Sequence, residues 1–259
     1  MPKFFVISDI HGFYGQMKKA LNGAGFDENN ENHWLVVCGD YFDRGSRPLE
    51  VMKYLLHLPR KVLIRGNHEQ LLVDCYMRGE PHMHDYSNGT YSTICEIGGA
   101  GEGYDFDECC TRTMGRTQMF LDSMVNYFET KNHIFVHSWI PVINMDNLPA
   151  HYTRNRKFEF NPDWRNAWQA EWNDAMWGNP FDMAARGLMP DKTVVFGHWH
   201  CSTGWAKLEG RSEFDADAKF DAYYGDGFIA IDACTAYSGK CNVVVIEDEF
   251  LEDYVDKKS

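Results

Sequence analysis

Trp34-Leu35-Val36-Val37-Cys38 followed by Gly39-Asp40-Tyr41-Phe42-Asp43-Arg44-Gly45 decides the reading of this chain. Five apolar residues without polar alternation read as a short strand covered on both faces. The run stops at a Gly-Asp pair and passes at once into charged residues. The same pattern recurs along the chain. Phe4-Phe5-Val6-Ile7 runs into Ser8-Asp9-Ile10-His11-Gly12, and Val62-Leu63-Ile64 into Arg65-Gly66-Asn67-His68-Glu69. Ile134-Phe135-Val136 ends in His137-Ser138, and Val194-Val195-Phe196 in Gly197-His198-Trp199-His200. Two more apolar runs follow, Phe228 to Ile231 and Val243 to Ile246.

Helical spacing lies between these runs. Met17, Ala20, Leu21 and Ala24 keep the i, i+3, i+4, i+7 rhythm, as do Val51, Tyr54, Leu55 and Leu58, with Pro48 near the start, where its missing N–H costs little. Leu71, Leu72 and Cys75 line a third helix, and Phe120, Met124, Tyr127 and Phe128 a fourth. Alternating strands and helices predict an α/β fold. In such sheets, sites form at the carboxyl ends of strands, so five polar strand ends can converge on one place.

The 259 residues carry 25 basic and 38 acidic side chains, a formal net charge of −13. Hydrophobic residues at 44% exclude disorder or coiled coil as a description of the whole chain. The acidic balance disfavours a nucleic-acid partner. No apolar run reaches the ~18–20 residues that span a bilayer, so no membrane partner is expected. The apolar stretch after Met1-Pro2-Lys3 is too short for a signal peptide, which makes the cytoplasm the expected location. Eight cysteines without a C-x-x-C pair are expected to be reduced.

One domain over residues 1–259 is expected, with insertions at about 79–116 and 141–190. Gly79 to Thr111 contains no Lys or Arg and reads as a long acidic surface insertion, with the His82-x-His84 pair in a solvated loop. In the second insertion, Trp164, Trp168, Trp172 and Met176 recur every four residues. They predict one helix, packed on the core or forming a wall beside the site. Glu247 to Asp256 reads as a solvated acidic tail.

Asp9, His11, Asp40, Asn67, His137, His198 and His200 form a set of oxygen and imidazole donors with no thiolate. That set suits a hard or borderline divalent ion such as manganese, iron or zinc. The two oxygens of Asp40 could bridge two ions, and seven ligands with one shared fit a dinuclear site.

Asp9-Ile10-His11-Gly12, Gly39 to Gly45, Arg65 to Glu69, His137 and Gly197-His198-x-His200 together resemble the motif series of calcineurin-like metallophosphoesterases. The GDYFDRG and RGNHE forms are most similar to the phosphoprotein phosphatase family, which includes serine/threonine protein phosphatases and bacterial diadenosine tetraphosphatases. The resemblance implies a two-sheet β-sandwich flanked by helices in αββα layers. It implies a phosphoric ester hydrolase with two divalent ions, manganese first and iron or zinc as alternatives. A serine/threonine-phosphatase-like phosphomonoesterase acting on a phosphoprotein or small phosphoester is the main expectation. A dinucleoside polyphosphate or nucleotide hydrolase, or a phosphodiesterase, is the alternative.

Position by position, Asp9 and His11 would bind the first ion and Asp40 would bridge. Asn67, His137 and His198 would bind the second. His68 would be the general acid, oriented by Asp43. Arg44, and more weakly Arg186, would hold phosphate oxygens. Two departures bear on substrate class: His137 is followed by Ser138-Trp139 instead of glycine, and His200 adds a histidine expected to reach the first ion.

Overall fold

In the computed structural model, residues 1–146 and 157–251 are described. The strands are β1 (Lys3–Ile7), β2 (His33–Cys38), β3 (Lys61–Ile64), β4 (Tyr127–Glu129), β5 (His133–Val136), β6 (Ile143–Asn144), β7 (Phe158–Glu159), β8 (Thr193–Phe196), β9 (Tyr223–Gly225), β10 (Phe228–Ala230) and β11 (Val244–Glu247). The helices are α1 (Tyr14–Gly23), α2 (Pro48–His57), α3 (Asn67–Arg78), α4 (Met83–Asn88), α5 (Thr90–Gly98), α6 (Phe106–Asp122), α7 (Gln169–Ala175), α8 (Pro180–Ala185), α9 (Cys201–Glu209) and α10 (Thr235–Ser238). The apolar runs read from sequence are thus β1, β2, β3, β5, β8, β10 and β11.

One sheet has the order β11-β1-β2-β3 and the other β4-β5-β8-β10-β9; β6 and β7 form a separate hairpin. The inner pairs β1–β2, β2–β3, β5–β8 and β8–β10 are parallel. Their carboxyl ends therefore point the same way within each sheet.

Both faces of the strands are buried, which is why their sequences lack alternation. Phe4, Val6, Val36 and Ile64 of the first sheet meet Phe135, Val195 and Ile229 of the second in the sandwich interior. Phe5, Ile7, Leu35 and Val37 face outward onto α1, α2 and α5 through Met17, Leu55 and Ile94. Ile134, Val136 and Phe196 face the opposite way, onto Trp139, Phe181 and Trp172. The layers are helix, sheet, sheet, helix, as expected.

Four expectations change. The helix read through Phe128 ends at Asp122, and Tyr127 and Phe128 lie in β4. The apolar spacing fits either element, but Phe128 pairs with Phe135 in the neighbouring strand and buries in the sandwich interior, which decides it. The 79–111 stretch, read as a surface insertion, is largely helical and is partly core. Ile94, Ile97, Cys109 and Cys110 join the first core. Most of its charges sit on the outer faces, with Asp85 buried, and His82 and His84 are exposed at α4. The tryptophan series is not one helix. Trp164 lies in a 3-10 turn, Trp168 is 82% exposed just before α7, and only Trp172 is buried within α7. In the tail, Asp248 is buried and accepts hydrogen bonds from Thr130, Asn132 and His133. Residues 147–156 of the second insertion and 252–256 of the tail lie outside the described residues.

Candidate metal centre and active site

Asp9 and His11 leave the end of β1, Asp40 the end of β2, and Asn67 and His68 open α3 just past β3. His137 follows β5 and His198 follows β8. Strands of both sheets therefore deliver these residues to one rim. Among the described residues, seven non-glycine residues have positive φ: Asp9, His11, Asp40, Asp43, Arg44, His198 and Cys234. Six of them belong to the predicted site. A left-handed backbone costs an L-residue about 1–3 kcal/mol and persists only where surroundings over-determine it. Such concentrated strain makes this rim the candidate functional region.

Gly39 (φ 83°) explains part of the convergence. A Cβ there would lie 2.8 Å from the Gly66 Cα and closer still to the His137 ring. Only glycine lets the β2, β3 and β5 ends approach this closely.

Asp40 is the centre. Its Oδ1 lies 3.4 Å from His137 Nε2, and its Oδ2 lies 3.7 Å from His11 Nε2 and 3.8 Å from His68 Nε2. Two groups able to hold a cation, His11–Asp40–His68 and Asp40–His137–His198, share this one carboxylate. Burial alone would raise the Asp40 pKa. Positive charge at the surrounding His137, His68, His11 and His198 positions outweighs it and holds the carboxyl well below its ordinary range, so this carboxylate calls for cationic neighbours.

The donor chemistry fits a cation. His137 Nδ1 donates to the Cys38 carbonyl at 2.9 Å, and His11 Nδ1 donates to the Phe42 carbonyl at 2.8 Å. A carbonyl only accepts, so each neutral ring presents a bare Nε2 lone pair inward. His137 Nε2 faces Asn67 Oδ1 at 2.8 Å and an Asp40 oxygen at 3.4 Å. Lone pairs aimed at one another repel unless a positive charge lies among them. Burial lowers the pKa of His11, His137 and His198, the last to about 3, so these rings stay neutral and able to ligate. Asp9 shows the complementary need. Burial, then the nearby Asp232 and Asp40 carboxylates, raise its pKa well above the ordinary value, a cost that a cation relieves. Its two oxygens accept from the His198 N–H at 3.2 and 3.0 Å.

His68 Nδ1 bonds Asp43 Oδ2 at 2.7 Å, and both side chains are buried. Burial pulls the His68 pKa down, but the Asp40 and Asp43 carboxylates outweigh it and the net shift is upward. Arg44 spreads its fork over the same place, with Nη1 2.7 Å from His11 Nε2 and Nη2 3.2 Å from His68 Nε2.

His200 and Arg186 sit differently. His200 Nδ1 contacts Ser202 Oγ at 2.9 Å and Thr203 Oγ1 at 3.1 Å, and the ring is not part of either cation group. Arg186 lies exposed at the end of α8, its guanidinium 5.8 Å from the Phe158 ring centre. Trp172, packed in the second core, also lines a small recess with Arg65, His137 and Ser138.

Several important residues escaped the sequence reading. Thr90 and Thr93, from the stretch read as a surface insertion, bond Asp43. Asp232 is buried beside Asp9, with its pKa pushed up to about 6 chiefly by burial. No spacing signal marks the two threonines, whereas Ile231-Asp232 loosely resembles a later segment of the family, without a role assigned to it.

Glu69 has a defined task. Its carboxylate accepts from the Asp40 and Gly66 N–H groups through Oε2, at 3.0 and 2.9 Å, and from the Tyr41 N–H through Oε1 at 3.0 Å. It clamps the loop carrying Asp40 onto the start of α3. Glu69→Ala leaves three buried donors unpaired, at about 1–3 kcal/mol each. A loss on the order of 3 kcal/mol or more is expected in a urea melt of the metal-free protein. An unchanged midpoint would remove the clamp from this account.

A family model for the calcineurin-like phosphoesterases matches residues 2–202. The chain is similar to the symmetrical bis(5'-nucleosyl)-tetraphosphatase of Proteus mirabilis, 33% identical over 75 residues, which cover 29% of this chain and 27% of that protein. It is similar to the asymmetrical bis(5'-nucleosyl)-tetraphosphatase of Bacillus velezensis, 34% identical over 85 residues, covering 29% of this chain and 34% of that one. The matched segments thus span about a quarter to a third of these curated relatives. The solved structure of a cold-active protein-tyrosine phosphatase of a psychrophile, a Shewanella species, superposes with a TM-score of 0.52 at 15% identity. That superposition covers 95% of this chain and 76% of that one, and the likeness is one of fold.

Proposed function

The chain belongs to the calcineurin-like phosphoesterase family, and from that premise we propose that it hydrolyses dinucleoside or other nucleotide polyphosphates with a pair of divalent cations. The observation that carries the hydrolytic reading is the shared carboxylate: two cation-holding groups meet at Asp40, with the His68–Asp43 pair and Arg44 on the same rim. The curated relatives, named as tetraphosphatases, favour the nucleotide polyphosphate as substrate. The Gly39 to Gly45 and Arg65 to Glu69 sequences favour a second reading, the phosphomonoesterase resembling serine/threonine phosphatases.

In this reading Asp9 and His11 hold one cation, Asn67, His137 and His198 hold the other, and Asp40 serves both. His200, with Nδ1 engaged by Ser202 and Thr203, would offer Nε2 to the first. The cations, with manganese the first candidate and iron or zinc next, supply charge neutralisation at the phosphate and a more acidic water. Arg44 orients the phosphoryl oxygens and stabilises the charge gathering on them. His68 hands its Nε2 proton to the departing oxygen, while Asp43 holds Nδ1–H and so fixes which nitrogen faces the substrate. Arg186 is a candidate second anchor for an anionic substrate.

The test is a substrate panel with manganese-loaded protein: diadenosine tetraphosphate, a phosphoserine peptide, p-nitrophenyl phosphate and bis-p-nitrophenyl phosphate. Diadenosine tetraphosphate is expected to lead in kcat/KM by roughly tenfold or more, about 1.4 kcal/mol of transition-state binding. A phosphopeptide in first place would install the second reading. No turnover of any substrate would end both.

A further inference from the structure

Asp43 orients His68, but something must orient Asp43. Its carboxylate is fully buried, where an anion with free rotation and incomplete hydrogen bonding is costly. Oδ2 receives the His68 Nδ1–H at 2.7 Å and, on the same oxygen, the Thr90 hydroxyl at 2.7 Å. Oδ1 receives the Thr93 hydroxyl at 2.9 Å, and the Thr93 oxygen in turn accepts the Asp43 backbone N–H at 2.9 Å. Thr90 and Thr93 are themselves 0% and 1% exposed.

The helix α5 makes this arrangement rigid. Thr90 and Thr93 are three residues apart and share one face, which continues into the buried Ile94 and Ile97. Just before the helix, Gly89 approaches the Arg44 backbone so closely that a Cβ would lie 3.1 Å from the Arg44 Cα. The acidic stretch from Gly79 to Thr111 thus sends one helix inward, against the Asp43-Arg44 backbone.

We propose that Thr90 and Thr93 are positioning residues for proton donation: their hydroxyls fix the Asp43 carboxylate and, through it, the tautomer and orientation of His68. The proposal rests on the reading of His68 as general acid. Both threonines act through Asp43 and neither is assigned contact with substrate. With the hydroxyls removed, Oδ1 and Oδ2 become free to exchange places, and the His68 ring loses its single preferred pose. Binding of phosphate by Arg44 and the cations does not need this order, so kcat should change more than KM.

Two measurements on the Thr90→Val/Thr93→Val and Thr90→Ser/Thr93→Ser double variants test this. The first uses aryl phosphates that span leaving-group pKa. The valine variant should lose roughly 10- to 100-fold in kcat for poor leaving groups, a fraction of the ~10²–10⁴-fold that a whole general acid supplies. It should lose little for p-nitrophenyl phosphate, and the serine variant should recover most of the loss. The second is the ¹H–¹⁵N signal of His68 in zinc-loaded protein, which needs no turnover. A low-field Nδ1 proton is expected in wild type and the serine variant, and a broadened or shifted one in the valine variant. If the double valine variant fails to fold, the single Thr90→Val variant carries both measurements. Equal kinetic losses for all leaving groups, no rescue by serine, or an unchanged His68 signal would each overturn the proposal. A changed signal in a protein that cleaves no phosphate would uphold the positioning role and sink the general-acid reading instead.

Discussion

Asp40→Asn is expected to cost the protein both cations and reduce phosphate hydrolysis by about 10³-fold or more. Asp40 is the one carboxylate common to the two cation-holding groups, with Oδ1 turned toward His137 and Oδ2 toward His11 and His68. An amide at this position presents a donor where a donor meets only cations or N–H groups, and it removes the negative charge that balances them. A bound cation supplies several kcal/mol of transition-state stabilisation, and each 1.36 kcal/mol is tenfold in rate, so a loss near 4 kcal/mol gives roughly 10³-fold. Metal analysis gives a readout independent of turnover: two equivalents in wild type and fewer than one in the variant. Thermal melting gives another. Each cation at about 100 times its Kd stabilises the native state by ~2.7 kcal/mol, so the pair is worth roughly 10–20 °C for a chain of this size. Added manganese should raise the wild-type Tm by that amount and leave the Asp40→Asn Tm nearly still. Two equivalents of metal retained in the variant would refute the bridging role.

Why this carboxylate was visible in the sequence, while its supports were not, has a physical answer. Strands buried on both faces must be apolar throughout, so their ends are abrupt, and Asp9, Asp40, His137 and His198 stand out at those ends. What tightens the site leaves no such edge. Glu69 reads either as a support for the neighbouring site residues or as an acidic residue that starts a helix, until the three N–H groups it receives are seen. Thr90 and Thr93 sit in a stretch whose charge suggested solvent, because the exposed face of α5 and its neighbours carries that charge while the buried face works on Asp43. Positive φ at His11, Asp43 and His198 is likewise invisible, since nothing in an L-residue announces a strained backbone. Tyr127 and Phe128 failed for a different reason. Two adjacent apolar residues fit a helix stripe as well as a strand, and only pairing with β5 distinguishes them. The tryptophans at 164, 168 and 172 show the same weakness, since equal spacing does not require a continuous helix.

His68→Asn separates the protonation step from cation binding. Asn keeps a polar group of similar reach beside Asp43 but cannot carry a proton to a departing oxygen. The Asp40–His137–His198 group remains whole, and in the proposed assignment Asp9, His11 and Asp40 still hold the other cation without His68, so metal content should stay at two equivalents. For a phosphoserine peptide the departing alkoxide is strongly basic and needs that proton, so the loss should approach the ~10²–10⁴-fold that general-acid catalysis provides. For p-nitrophenyl phosphate, whose leaving group is stable as an anion near neutral pH, a far smaller loss is expected. Diadenosine tetraphosphate belongs with the second case. A departing phosphate has its second pKa near ~6, so it leaves as an anion at pH 7 with little help. A variant that cleaves diadenosine tetraphosphate within about tenfold of wild type while losing the phosphopeptide activity almost entirely would show that His68 serves protonation, not structure. Equal losses on all three substrates with intact metal would instead make His68 an electrostatic partner of Arg44, whose guanidinium already lies 3.2 Å from its Nε2.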